Sequence, residues 1–300
     1  MDRFQHSAIA IACLLGTLCA APPALAVKVS AVAVVSATAG QSNATQSGTA
    51  QPSAVQPKGT RPNAAVSPRR MTARRARTLL KLPKGTMSFG RTSGGRLMNA
   101  SRIPLQGKDY GFFTHIAERG THFGTDEMKR LLPRLGKAVR ARIKRSPRLR
   151  VGNVSLRKGG RSQWHVSHQA GRDVDLCMYA IDRTTKKPVE LENFVKFRWR
   201  GISRDGLLLF DSRRNMELIR ALVTDEHVNV QWVFVARWLK RRIMAAAVAA
   251  KVPNEIRIRM SEVMRQPSDS APHDDHFHVR IYCSVQDRKY GCVMRDPIRE

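Results

Sequence analysis

A change of composition near residue 70 limits where this chain can build a core. Between residues 27 and 70 the sequence is dominated by Ala, Ser, Thr, Gln, Gly, Val and Pro, as in SATAGQSNATQSGTAQPSAVQPKGT, with almost no charged or aromatic side chain. Such a stretch has too little apolar surface to offset the entropy of ordering it, so residues 27–70 read as a disordered linker. Residues 71–300 are left to fold, which is enough chain for one domain with a full core.

Ahead of the linker, MDRFQHSAIAIACLLGTLCAAPPALA carries one arginine near its start, an apolar run over 8–21, and then Ala24-Leu25-Ala26. This is the layout of a signal peptide, with cleavage expected after Ala26. The alternative is an uncleaved anchor. The run is short for a membrane span and no stop-transfer charge cluster follows it, so no stable span is expected after processing. A lipoprotein is a further variant, but neither Cys13 nor Cys19 follows a Leu-Ala-Gly type of attachment pattern. Cleavage removes both of these and leaves Cys177, Cys283 and Cys292 in an oxidising compartment. Cys283 and Cys292 are close enough to close a short loop behind the last expected strand, and we expect that disulfide. Cys177, in an apolar stretch, reads as a packed core thiol.

The net charge is +30, from 53 Lys+Arg against 23 Asp+Glu. It is uneven: residues 61–160 hold 25 basic and 4 acidic side chains, whereas residues 1–60 hold only Arg3, Lys28 and Lys58 against Asp2. A hydrophobic content of 42% with 15 Pro and 20 Gly excludes wholesale disorder, a collagen-like repeat and a multi-span membrane protein. Excess positive charge points to an anionic partner. Nucleic acid is one such partner, but the leader, the lack of a zinc-finger, helix-turn-helix or RNA-binding signature, and only 6% aromatic residues argue against it.

Within the folding part, residues 126–145 place Met128, Leu131, Leu132, Leu135, Val139 and Ile143 at helical spacing, with Thr125 as N-cap and two acids in the first turn. Pro133 and Gly136 argue against a straight rod. Strands are expected at 149–154, 173–179, 229–235 and 277–282, helices at 215–223 and 236–250, and a Gly/Arg/Ser-rich loop at 157–164. Strands and helices mix without strict alternation. The expected fold class is α+β, with a small, mainly antiparallel sheet flanked by helices.

Five of the nine histidines fall into two short segments, WHVSHQAGRDVD (164–175) and HDDHFHVR (273–280). Imidazole nitrogen and carboxylate oxygen are the ligands Zn²⁺ takes in a tetrahedral site, and there are too few cysteines for a cysteine-based cluster. Side chains alternate faces along a strand, so His276 and His278 project to the same side, as do Asp173 and Asp175. Periodicity does not say which member of each pair is the ligand. A closed structural metal site is the alternative. Three ligands plus spare histidines fit better with a position left open for water.

The same residues carry a resemblance. Over most of 87–292 the chain resembles penicillin-insensitive murein endopeptidases, bacterial periplasmic zinc peptidases grouped with lysostaphin-type and D-Ala-D-Ala metallopeptidases. The shared segments include MSFGRTSGGRLMNASRIPL, GKDYGFFTHIAERGTHFGTDEM, HVSHQAGRDVDLCMY, SRDG, NVQWVFV and HDDHFHVRIYC. The resemblance implies zinc ligands at His168, Asp175 and His278, a catalytic histidine at His276, a second active-site histidine at His273, and a further metal or near-metal residue at His165. The family can carry a second metal position, an Asp and a His three residues apart near SRDG. Here Asp205 is present but the later position is Leu208. One zinc is therefore expected, with Asp205 kept as a further metal candidate.

The implied reaction is hydrolysis of the peptide cross-links of peptidoglycan, at D-alanyl-diaminopimelyl bonds, in the periplasm. His276 would act as base or hold the oxyanion, two roles that sequence does not separate. No serine nucleophile takes part, so insensitivity to β-lactams is expected. Arg161, Arg172 and Arg280, beside the motifs, are candidate clamps for substrate carboxylates, with a solvated or ion-paired arginine as the alternative for each. Two other functions fit the same motifs: a D,D- or L,D-carboxypeptidase, and a basic non-catalytic wall-binding protein. On this reading the charge holds the enzyme on its anionic polymer. Oligomeric state is not legible in the sequence.

Overall fold

The computed structural model describes residues 84–268 and 270–294; the expected leader and linker lie outside the described residues. The chain opens with a hairpin of β1 (Met87–Arg91) and β2 (Gly94–Met98). Next come β3 (Ser101–Arg102), β4 (Tyr110–Phe112), α1 (Thr114–Arg119), β5 (Phe123–Gly124), α2 (Asp126–Arg142), β6 (Leu149–Val151) and β7 (Asp173–Cys177). A small subsidiary sheet follows, from β8 (Ala180–Asp182), β9 (Pro188–Val189) and β10 (Leu208–Phe210). The remainder is α3 (Ser212–Val223), β11 (Val230–Phe234), α4 (Arg237–Ala249), α5 (Asn254–Val263), β12 (Met264–Arg265), β13 (His276–Ile281) and α6 (Val285–Lys289).

The main sheet has six strands in the order β12-β11-β13-β7-β6-β4. Pairing is antiparallel for β11/β13, β13/β7 and β7/β6, and parallel for the outer pairs β11/β12 and β4/β6. The expected α+β class and mainly antiparallel sheet are what the chain forms. The two central strands decide its polarity. Val174 and Leu176 of β7 and Phe277, Val279 and Ile281 of β13 join one hydrophobic core with Leu131 and Leu135 of α2, Ile219 of α3 and Leu239 of α4. The alternate residues, Asp173 and Asp175 with His276, His278 and Arg280, therefore face the other side. One face of the sheet is a core and the other is a site.

The longest helix forms as its spacing requires. Thr125 Oγ1 accepts a hydrogen bond from the Met128 N–H at 3.3 Å, acids occupy the first turn, and Arg140 and Arg142 lie in the last, so both ends complement the helix dipole. It ends at Arg142, three residues short of the expected bound. Gly136 has a packing reason: a Cβ there would lie 2.1 Å from the Asp109 carbonyl, so only glycine lets the helix approach the chain entering β4. Among the described residues no helix is long and apolar enough to cross a membrane. Cys283 and Cys292 are disulfide-bonded as expected, and Cys177 is buried and free.

Candidate metal centre

Strand register builds the centre. In the β13/β7 ladder, His278 lies opposite Asp175, Arg280 opposite Asp173, and His276 opposite Cys177. The loop before β7 brings in His168. His168 Nε2 is 3.2 Å from Asp175 Oδ1 and 3.2 Å from His278 Nδ1, and His278 Nδ1 is 3.4 Å from Asp175 Oδ1. Zinc–ligand bonds of about 2.0–2.1 Å in a tetrahedron set ligand-to-ligand edges of about 3.3 Å, so this triangle has the dimensions of three protein ligands around one zinc.

Protonation makes the fit chemical as well as geometric. His168 Nδ1 lies 2.8 Å from the Val154 carbonyl, which can only accept, so Nδ1 carries the proton and Nε2 presents its lone pair to the triangle. Both Asp175 oxygens are buried without an aligned hydrogen-bond donor. Lone pairs this close repel unless a cation or proton lies among them. In the protein alone a proton on His278 serves: burial opposes its charge, but Asp173 and Asp175 outweigh burial and hold its pKa up at about 9. The donors present suit zinc.

Asp173 holds the arrangement from behind. Its carboxylate accepts from Arg280 Nε at 2.7 Å and Nη2 at 3.1 Å, and from the His168 N–H at 3.2 Å, and it lies 3.5 Å from His278 Nε2. It thereby orients two members of the triangle. Burial alone would raise the pKa of Asp173, but Arg280 and His278 hold it well below the usual carboxylate range. His168 needs such support, because its backbone sits at φ +66°, a left-handed conformation that costs a non-glycine residue roughly 1–3 kcal/mol.

Three more histidines surround the triangle. His276 stands 3.5 Å from Asp175 Oδ1 through Nε2, while its Nδ1 is 2.6 Å from Asp275 Oδ1 and its ring lies against Phe194. Asp275 therefore orients His276 with Nε2 toward the centre. His273 packs against Phe234 and the edge of His276, and burial pushes its pKa down to about 3, so it is neutral. His165 Nε2 is 3.5 Å from Asp175 Oδ2, and burial pushes its pKa down to about 4. Two trios, His165/His168/Asp175 and His273/His276/His278, each have ligand atoms within 4.8 Å of one another and could hold an ion. A cavity of about 390 Å³ opens over His165, His273, His276 and His278.

The other sequence candidates are placed differently. Arg172 is 1% exposed and donates to Ser88 Oγ and to the Ile281 and Val293 carbonyls, which leaves it no face for a substrate. Arg280 is held by Asp173, as above. Only Arg161 of the three is exposed, and it lines a neighbouring cavity. Asp205 is exposed, accepts from Ser203 Oγ and the Leu207 N–H, and belongs to neither trio. Sequence reasoning missed the roles of Asp275, Phe194, Phe234 and the Val154 carbonyl. A backbone carbonyl leaves no trace in a sequence, whereas Asp275, adjacent to His276, could have been suspected.

Comparison with known proteins gives the same direction. Residues 88–300 match the family model described as penicillin-insensitive murein endopeptidase. Relatives of that name include proteins from Salmonella paratyphi C, 24% identical over 67% of this chain and 68% of the relative, and Escherichia coli O157:H7, 23% identical over the same shares. The Pectobacterium atrosepticum protein of that name is 33% identical over 30% of this chain and 31% of its own. With a match from β1 to the last residue that takes in both histidine segments, this chain belongs to the penicillin-insensitive murein endopeptidase family of peptidases.

Proposed function

We propose that this protein is a zinc-dependent endopeptidase that hydrolyses the peptide cross-links of peptidoglycan, at D-alanyl-diaminopimelyl bonds. One zinc would be held by His168, Asp175 and His278. The observation that carries this reading is the triangle of converging ligand atoms, with edges of 3.2, 3.2 and 3.4 Å, buried on the polar face of β7 and β13. The chemistry a zinc ion supplies in such a site is polarisation of the scissile carbonyl and acidification of water to a pKa of about 7.

The chain's own residues do the rest. His276 presents Nε2 beside the triangle with its Nδ1 proton held by Asp275, so it takes a proton from the attacking water and returns it to the leaving amine. Neutral His273, packed against Phe234 and edge-on to His276, limits the orientations of the His276 ring. His165 lines the same cavity, 3.5 Å from Asp175 Oδ2. Nothing in this scheme is a serine nucleophile, so β-lactams leave it untouched.

Residues 1–26 are read as a cleaved signal peptide, residues 27–70 as a linker and residues 71–300 as the catalytic domain, which places the enzyme in the periplasm. A mature N-terminus at Val27 tests the first of these. The basic surface binds the anionic wall, so retention on sacculi should weaken steeply with salt. The deciding experiment is muropeptide profiling of purified cross-linked dimers with and without chelator. Conversion of dimers to monomers, abolished by chelator and restored by zinc, is the expected outcome. Release of free D-alanine from monomers instead would assign a carboxypeptidase, and inert dimers would overturn the catalytic reading.

A further inference from the structure

The loop that precedes the metal centre, residues 157–167, does more than deliver His168. Its residues line three cavities in succession. Ser167, Val166 and His165 border the cavity over the histidines; Val166 through Arg161 border a second of about 430 Å³; Gly160, Lys158 and Arg157 border a third of about 730 Å³. The first two share His165 and Val166. The β1–β2 hairpin forms the facing wall of the other two, through Ser93 in the second and Gly95 and Arg96 in the third.

The walls are built and charged. The loop is clamped by backbone hydrogen bonds: the Leu97 N–H donates to Lys158 O at 3.0 Å, the Gly160 N–H to Gln169 O at 2.9 Å, and the Gln169 N–H to Thr92 O at 3.0 Å. Gly159, at φ +64°, permits this clamp, since a Cβ there would lie 2.2 Å from the Gln169 carbonyl and 2.6 Å from the Leu97 nitrogen. Arg96, Arg157, Lys158 and Arg161 are all exposed along this path, and no ion pair joins any of them to an acid among the described residues. Elsewhere arginines pair readily, as Arg134 does with Asp225 and Arg148 with Glu190. Arg161 lines the cavity that adjoins the one over the histidines, and Arg96, Arg157 and Lys158 line the next one along the same held loop, so four unneutralised cations offer contacts to an extended polyanion.

We propose that this trough binds one carboxylate-bearing stem peptide of the cross-linked substrate, with Arg161 taking the carboxylate nearest the scissile bond and Arg96, Arg157 and Lys158 taking those further along the same stem. The proposal rests on the endopeptidase reading above and deepens it: a site that grips a whole second stem is selective for cross-links over chain ends. The zinc ligands set where the bond breaks, and the trough sets which peptides present a bond there.

The test is equilibrium binding to the zinc-loaded, full-length protein. The probes are a free stem tetrapeptide with its carboxylates intact and the same peptide with them amidated. Wild type should bind the free acid more tightly than the amide. The Arg157→Gln/Lys158→Gln/Arg161→Gln variant should lose roughly tenfold in affinity for the free acid, about 1.4 kcal/mol, and nothing for the amide. Arg96→Gln, on the opposite wall, should give a smaller loss in the same direction, and thermal melts and zinc content should stay at wild-type values. Equal affinity for the two probes in wild type, or an unchanged preference in the triple variant, overturns the proposal. Dimer cleavage by wild type, measured alongside, separates the two claims: binding that follows the carboxylates without cleavage leaves the trough standing and removes the endopeptidase reading, and cleavage without carboxylate dependence does the reverse.

Discussion

Two polar rungs of the β7/β13 ladder are built on the same buried carboxylate and finished differently. At the end rung Asp173 faces Arg280; two residues on, at the middle rung, Asp175 faces His278. Both carboxylates are fully buried. Asp173 is closed by the chain itself, with two guanidinium hydrogen bonds and a backbone N–H. Asp175 meets only imidazoles, and its oxygens have no aligned donor. A buried carboxylate with its own guanidinium is structure, because its charge is already balanced. A buried carboxylate ringed only by imidazoles is a candidate ligand, because a bound cation would balance it.

Substitutions can break that contrast from either side. The largest effect is expected at the Asp175 rung. Asp175→Ala should abolish zinc binding and reduce dimer cleavage by more than the roughly hundredfold that losing an outer partner of a ligand costs, read by metal content and muropeptide profiling. His276→Ala should cut kcat by about a hundredfold to ten-thousandfold with zinc retained. At the Asp173 rung, Asp173→Asn leaves Arg280 uncompensated in a mostly buried position and should cost about 3 kcal/mol by chemical denaturation, with zinc affinity reduced about tenfold to a hundredfold through His168 and His278. The pH dependence of the wild-type pair follows from the depressed Asp173 pKa: its stabilisation is present above the ordinary carboxylate range and is lost only as pH falls through the lower, folded-state value. An intermediate effect is expected beyond β13, where reducing the Cys283–Cys292 bridge should cost about 2–3 kcal/mol and leave zinc content unchanged. The smallest lies outside both rungs, since Thr125→Ala removes one N-cap and should lower stability by about 1 kcal/mol without touching activity.

Much of this was legible in the sequence, and the gaps have physical causes. The α2 pattern, β7 and the final strand were readable because each carries a clear apolar period, and β11 because VQWVF is rich in β-branched and aromatic residues. α5 was not, because Ile256, Ile258 and Met260 alternate as in a strand and only Met260 and Val263 are buried. The β1–β2 hairpin was missed too: GGRLM carries no alternation, and its partner includes Gly90 at positive φ. At the site, both histidine segments stood out, but a period of two treats Asp173 and Asp175 alike. Their difference comes from what lies across the ladder and from the His168 loop, which are tertiary contacts. The three arginines were likewise equivalent by sequence proximity; burial separates Arg172, pairing separates Arg280, and exposure leaves Arg161.

The central proposal is one zinc held by His168, Asp175 and His278, with His276 acting beside it. Zinc content per chain, measured on purified wild type, His168→Ala and His276→Ala, tests this most directly. About one zinc in wild type and in His276→Ala, and almost none in His168→Ala, is the predicted result. Full zinc in His168→Ala, or its loss from His276→Ala, would contradict it.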